Sequence, residues 1–339
     1  MKSPVNVAVV GATGAVGRTM LQLLAERKFP VNELHALASA RSAGSVLGWR
    51  DRELRVQELD TFDFSGVDIA LFSAGGSISK LHAPRAAAAG AVVIDNTSCF
   101  RYDDDVPLLV PEVNPEALKE HHRRGIIANP NCSTIQMVVA LNPIHAAVGI
   151  ERINVATYQA VSGAGQKGVD ELDRQTRQIV SGERPGAPVA FGAQIAFNVV
   201  PHIDEFLDSG YTREEMKMVW ETRKILGDPQ IQVNPTAVRV PVFSGHSEAV
   251  HIETRQRLSA AQVTELLASA PGVIVMDERR AGGYPTAVSD GAGDDHVFVG
   301  RIREDISHPR GICLWIVSDN LRKGAATNSV QIAELLLER

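Results

Sequence analysis

The apolar run Val5-Asn6-Val7-Ala8-Val9-Val10 leads without a spacer into Gly11-Ala12-Thr13-Gly14-Ala15-Val16-Gly17, and Met20, Leu21, Leu23 and Leu24 follow at helical spacing. A strand, a glycine loop and a helix in that order constrain this fold more than any other stretch. In such a unit glycines let the backbone approach a pyrophosphate, which sits at the positive end of the helix. The spacing is G-x-x-G-x-x-G, a variant of the commoner G-x-G-x-x-G, and a tight turn with no ligand is the alternative. Placement at the head of a βα unit favours a dinucleotide.

The same grammar continues. Glu33–Ala38 reads as a second strand and ends in Ser39-Ala40-Arg41-Ser42-Ala43-Gly44, with no acid to bond a ribose 2′-hydroxyl. Ser39, Arg41 and Ser42 can hold a 2′-phosphate instead, which favours NADP, although a loop arginine is often only solvated. Val67–Phe72 runs into Ser73-Ala74-Gly75-Gly76-Ser77 and an alanine-rich helix near Lys80–Ala89. Val92–Asp95 runs into Asn96–Arg101. Ligands of doubly wound sheets bind at the carboxyl ends of strands, so Ser73 and the Asn96 loop fall near the cofactor, and Arg101 can clamp an anionic group there. Leu108–Val113 and Ile126–Ala128 read as later strands, and the His121–Arg124 cluster as a solvated helix end.

Next comes Asn129-Pro130-Asn131-Cys132-Ser133-Thr134, a sharp turn before the apolar helix Ile135–Leu141. Backbone N–H groups and the helix dipole at that position favour a thiolate at Cys132. A buried thiol acting as a small hydrophobe is the alternative, and the polar neighbours argue against it. Cys99 competes for the nucleophile's role, but no helix start follows it.

The wider composition narrows the class. At 339 residues the chain suits two domains. A net charge of -6 gives no basic footprint for nucleic acid or an anionic membrane. No run is long and uncharged enough to span a bilayer, and no secretory pattern precedes the first strand. Three cysteines form no disulfide framework and no metal-ligand spacing, so a reducing, cytoplasmic setting without a metal is expected.

Beyond Gly149 the pattern changes. Ile153–Val161 alternates, Ser162–Gly168 is a glycine-rich loop, and Val169–Val180 and Thr212–Ile225 read as helices. Thr236–Val242, Ala249–Thr254, Val297–Ile302 and Gly311–Val317 read as strands, and Leu321–Leu337 as mostly helical. The expected fold class is therefore α/β. An N-terminal Rossmann-type dinucleotide-binding domain (1–128 with 319–339) joins an α+β catalytic and dimerisation domain (129–318) with a mixed, largely antiparallel sheet. A cysteine nucleophile beside a nicotinamide suggests an oxidoreductase working through a thioester, which also needs a base and charge clamps. His246, in Gly245-His246-Ser247-Glu248, is a candidate base between a flexible glycine and polar residues. His251, inside an apolar alternation, reads as structural.

In order along the chain, the Gly11–Gly17 loop, Asn96–Arg101, Asn129–Thr134, Gln159 with Ser162–Gly165, Glu214–Lys217, Arg239–Val242, Gly245–Glu248 and Asp319–Ala326 resemble segments of the aspartate-β-semialdehyde dehydrogenase family. That resemblance covers almost the whole chain. It implies Cys132 as the nucleophile, His246 as the acid/base that takes its proton, and Gln159 as the group orienting substrate. Arg239 would bind the substrate α-carboxylate and Glu214 its ammonium group, while Arg101 and Lys217 hold phosphate, the co-substrate. Gly11, Thr13, Gly14, Ala15, Val16, Arg41, Ser42, Ser162, Gly163 and Asn320 would contact NADP. A homodimer and a role in amino-acid biosynthesis are implied too. Cys99 departs from the small residue expected in the Ser-x-Phe-Arg segment and raises the question of a second reactive thiol. The nearest rival is an N-acetyl-γ-glutamyl-phosphate reductase, against which the Glu214 counter-charge for a free amine argues. Short-chain dehydrogenases share the glycine spacing, but no tyrosine here has a lysine four residues on. A non-catalytic nucleotide-binding paralogue would be expected to lose Cys132 or its partners.

Overall fold

Strand β1 (Val5–Val10) is buried almost throughout, as a central strand with covered faces must be. The structure, a computed structural model, describes residues 4–338. Two units make up the chain: one runs to Asn131 and resumes at Ala325, and the other is Cys132–Gly324.

In the first unit β1 is followed by α1 (Ala15–Glu26), β2 (Val31–Ala38), β3 (Val46–Trp49), β4 (Arg52–Arg55), β5 (Gln57–Glu58), β6 (Ile69–Phe72), α2 (Gly76–Ala88), β7 (Val92–Asp95) and β8 (Ile126–Ala128). Six strands form a parallel sheet in the order β5-β2-β1-β6-β7-β8. The apolar stripe of α1, Met20, Leu21, Leu23 and Leu24, packs into one core with Val7, Val9, Ile69, Leu71 and Ile94. The helix Thr327–Leu337 belongs to this core through Val330, Ile332, Ala333 and Leu336. Asn328 ties it further, donating to the Leu109 carbonyl at 3.0 Å and to Asn129 Oδ1 at 2.7 Å.

One expectation fails here. Leu108–Val113 is not a strand. Only Leu108 makes a bridge, to Ala128. Pro107 and Pro111 remove two ladder donors, and the Asn114 side chain accepts from Val110 N–H and donates to Leu108 O, each at 2.9 Å, closing a turn instead. The β3–β4 hairpin was not anticipated. It is held by Trp49, whose indole donates to Leu21 O at 2.9 Å.

The second unit carries α3 (Cys132–Val148), β9 (Ile150–Gln159), α4 (Gln166–Val180), α5 (Arg213–Leu226), β10 (Gln232–Arg239), β11 (His246–Thr254), α6 (Ala260–Ala268), β12 (Val273–Val275), β13 (Val297–Glu304) and β14 (Gly311–Ser318), and α7 (Thr327–Leu337) is the helix already placed in the first unit. Its sheet runs β10-β9-β11-β14-β13-β12, parallel at both outer pairs and antiparallel at the three central ones. On β11 the side chains of His246, Glu248, Val250, Ile252 and Thr254 share a fully buried face, and His251 is exposed on the other. Helix α3 is buried all round from Ser133 to Leu141, which is why its sequence shows no polar face. β10 ends at Arg239 rather than Val242, because Pro241 has no N–H to extend the ladder. Helix α6 went unread, although Ser259 and Gln262 form the capping box that signals its start.

Candidate active site

Cys132 opens helix α3 and its thiol is half-buried. The polar neighbours taken as a sign of exposure are themselves buried: Asn129, Asn131, Ser133 and Thr134. Gln159, at the end of β9, is buried and reaches the residue after Cys132. Gln159 Nε2 donates to Ser133 Oγ at 3.0 Å, with Thr157 Oγ1 and Glu214 Oε1 each at 3.3 Å. Two amide protons are thus shared among three acceptors, which fixes the amide plane.

Glu214 lies in the first turn of α5, whose start is set by the reciprocal capping of Thr212 and Glu215. One turn on, Lys217 Nζ pairs with Glu214 Oε2 at 2.9 Å and with Asp204 Oδ2 at 2.7 Å. Burial pulls the ammonium pKa down, but Glu214 and Asp204 outweigh it, so the pKa ends above its ordinary value and the lysine stays charged.

Arg239 closes β10 and is buried. Its Nη1 donates to Ala160 O at 2.7 Å, while Nε is buried with no hydrogen-bond partner. Burial lowers its pKa, against Glu214 and Cys132, whose charges act on it. His246 is not on a flexible loop: it is the first residue of β11 and fully buried. Ala160 N–H donates to its Nδ1 at 3.1 Å, and Nε2 is buried without a partner. With Nδ1 accepting, the proton of the neutral ring sits on Nε2. Burial, reinforced by the Arg239 guanidinium and opposed by Glu214 and the Gly245 backbone, brings the imidazole pKa down to about 3. The α-carbon of Gly163 faces both groups, since a Cβ there would lie 2.8 Å from Arg239 Nη1 and 3.5 Å from His246 Nε2. Ser162 and Asn320 are hydrogen-bonded to each other (Asn320 Nδ2 to Ser162 Oγ, 3.0 Å), and Asn320 Oδ1 accepts from Gly245 N–H at 3.0 Å, clasping three loops.

The first unit holds the remaining expected residues. Gly11 has φ +84°, and a Cβ would lie 2.5 Å from the Ser73 carbonyl, so only glycine lets this loop pass the end of β6. Gly14 caps α1 from an extended backbone, with no side-chain bond to the helix and no acid in its first turn. The N-terminal N–H groups around Ala15 and Val16 are therefore suited to a phosphate, and Thr13 lies in the loop beside them. Ser39 and Arg41 are exposed just beyond β2 and Ser42 is partly buried, with no carboxylate between Ser39 and Gly44. Arg101 is buried and anchored, donating to Thr97 O at 3.1 Å and Asn96 O at 3.0 Å. Burial and then Asp95 and Asp103 push the Cys99 thiol above its ordinary pKa, against Lys80 and Arg124, which makes it a poor rival nucleophile.

Several residues escaped the sequence reading. Thr157 accepts from Gln159, Asp204 pairs with Lys217, and the main chain of Ala160 holds both Arg239 and His246. None carries a local motif. Elsewhere, His251, Asp305 and Cys313 bring ligand atoms within 4.8 Å of one another, a cluster that chain spacing hides. Arg303 stands opposite Cys313 in the sheet register.

A dinucleotide loop in one unit, and in the other a helix-start cysteine beside buried, unpartnered cationic and imidazole nitrogens, define a semialdehyde dehydrogenase. Residues 6–121 match the family described as "Semialdehyde dehydrogenase, NAD binding domain", and residues 141–323 match "Semialdehyde dehydrogenase, dimerisation domain". Within that class the chain belongs to the aspartate-semialdehyde dehydrogenase family. It is 62% identical to the aspartate-semialdehyde dehydrogenase of Legionella pneumophila over 99% of this chain and 96% of that protein. The structure of aspartate semialdehyde dehydrogenase II from Vibrio cholerae complexed with ASA superposes with a TM-score of 0.97 at 60% identity, covering 99% of each chain. The aspartate semialdehyde dehydrogenase of Candida albicans with NADP gives a TM-score of 0.74 at 28% identity, covering 98% of each. The chain is thus an oxidoreductase with a nicotinamide-dinucleotide domain, and its dimerisation domain supports a homodimer. Among the described residues no helix is long and apolar enough to cross a membrane.

Proposed function

We propose that this enzyme interconverts L-aspartyl 4-phosphate and L-aspartate 4-semialdehyde through a thioester on Cys132, with NADP as dinucleotide and inorganic phosphate as co-substrate. The step serves the biosynthesis of lysine through diaminopimelate, and of threonine, methionine and isoleucine. The observation that carries this reading is the pair of buried, unpartnered nitrogens, Arg239 Nε and His246 Nε2. An unsatisfied buried donor is costly unless a ligand completes it.

In the reductive direction Cys132 Sγ bonds to the acyl carbon as the acyl carbon–oxygen bond breaks and phosphate leaves. The bound dinucleotide supplies the hydride, and cleavage of the carbon–sulfur bond then releases the aldehyde and regenerates the thiolate. Arg239 takes the substrate α-carboxylate, Glu214 the ammonium group, and Gln159 holds the acyl group in register with the thiol. Arg101 and Lys217 serve the phosphate. Lys217 does so as one cation between two carboxylates, Glu214 and Asp204. The His246 ring, neutral and carrying its proton on Nε2, acts as a donor to the oxygen that gains charge as the acyl carbon becomes tetrahedral. To remove the thiol proton, it would first have to move its own proton to Nδ1. NADP rather than NAD rests on Arg41, Ser39 and Ser42, on the absence of an acid there, and on the Candida albicans relative with NADP.

The test is turnover with NADP, semialdehyde and phosphate. Cys132→Ala should abolish it and prevent trapping of an acyl-enzyme, and normal turnover in that variant would sink the thioester reading. An assay against N-acetyl-γ-glutamyl phosphate should show no comparable rate, because Glu214 has no partner ammonium on that substrate.

A further inference from the structure

Glu248 lies two residues beyond His246 on the same buried face of β11 and is wholly buried. Among the described residues neither of its carboxyl oxygens has a hydrogen-bond partner, and no cation pairs with it. Its cross-strand neighbours are Thr157 and Ile316, both uncharged. From helix α3 the polar group facing it is the amide of Gln136, near enough to favour a negative carboxylate, yet with its nitrogen left unpartnered. Gln136 is one helical turn beyond Cys132, as Glu248 is one strand repeat beyond His246. The pair Gln136–Glu248 is therefore a second layer under the reactive one, about 6 Å deeper on each element.

A charged carboxylate without a cation or a full set of donors is not tolerated at such a site; the group keeps its proton instead. We propose that Glu248 works as a neutral carboxylic acid facing the Gln136 amide, a positioning residue that keeps β11 packed against α3 while adding no charge beneath Cys132 and His246. This rests on Cys132 and His246 being the reacting groups. The consequence is specific. An anion at this depth would raise the Cys132 thiol pKa and favour imidazolium at His246, undoing what the helix start and the buried ring accomplish. Burial also drives the carboxyl well above its ordinary range, with Gln136 acting weakly against it. Unfolded, the group would ionise near 4.5. Stability it contributes is therefore complete below that pH and declines as pH rises above it.

The decisive comparison is wild type against Glu248→Gln, a neutral near-isostere. The infrared difference spectrum at pH 8 should contain a protonated-carboxyl stretch lost in the variant. Its absence overturns the proposal. Alkylation of Cys132, followed on its own peptide by mass spectrometry, should keep the same pH midpoint in Glu248→Gln. A downward shift of about one unit or more would mean that an anion had been removed, and would likewise overturn it. Thermal stability of Glu248→Gln should exceed wild type by a margin that grows from pH 5 to pH 9. Glu248→Leu and Gln136→Leu should each lower kcat about tenfold with KM unchanged, with Glu248→Gln close to wild type. Wild-type kcat in both leucine variants removes the positioning role. Should the leucine variants fail to fold, the infrared and alkylation results still decide the charge. Turnover by Cys132→Ala would instead overturn the thioester reading and leave the infrared band untouched.

Discussion

A methyl group on Gly324 would stand 2.8 Å from Cys132 Cβ, so the turn after Asn320 packs its backbone directly against the first residue of α3. Both residues lie in the second unit, and the contact sets where the thiol can point. Gly324→Ala should push Cys132 off line and lower kcat by about 10–100-fold, the effect expected of a displacement near 1 Å. Steady-state kinetics checks this alongside a melting curve. A wild-type kcat would show that the turn yields and the thiol does not.

Arg239→Lys should be far from conservative. The guanidinium donates to Ala160 O through Nη1 and keeps Nε available, and an ammonium cannot do both. We expect kcat/KM to fall at least 100-fold, with much of the loss in substrate KM. A change under threefold would argue that the α-carboxylate is held elsewhere.

His246 gives the protein an acid limit. Its folded pKa of about 3 lies below the ordinary 6.5, so the folded state binds fewer protons than the unfolded one. The contribution to stability is complete above pH 6.5 and is lost as pH falls toward 3, on the order of a few kcal/mol in all. His246→Gln should flatten the melting temperature across this window. An unchanged slope would show that other groups set the acid limit.

Arg41→Ala should weaken NADP binding at least tenfold while altering NAD binding less than twofold, read by fluorescence titration of each reduced cofactor. Equal losses for both would remove the 2′-phosphate argument. Arg41 is exposed at the end of β2, so the substitution should leave the melting temperature unchanged.

How much was legible depends on whether the signal was local. The loop from Gly11 to Gly17 and the turn at Cys132 each carry their chemistry within a few residues, because a helix start, a φ-positive glycine and an apolar strand are neighbours in the chain. Leu108–Val113 misled for the opposite reason. Its apolar pattern suits a strand, and only the Asn114 side chain, bonding back to Val110 and Leu108, makes it a turn. Glu248 entered the sequence reading only as a polar neighbour of His246, and strand alternation from His246 places it inside.

The sequence by itself determined the α/β class and the glycine loop at the head of the first βα unit, and it singled out Cys132 and a set of charged residues as candidates for the site, since residue type and local spacing encode these. Tertiary structure alone decided their states. Lys217 shares itself between Glu214 and Asp204, the proton of the neutral His246 ring sits on Nε2 because Ala160 N–H occupies Nδ1, and Glu248 is buried with no counter-charge among the described residues. Protonation and hydrogen-bond roles depend on desolvation and on partners tens of residues away, and both exist only once the sheet and its helices have packed.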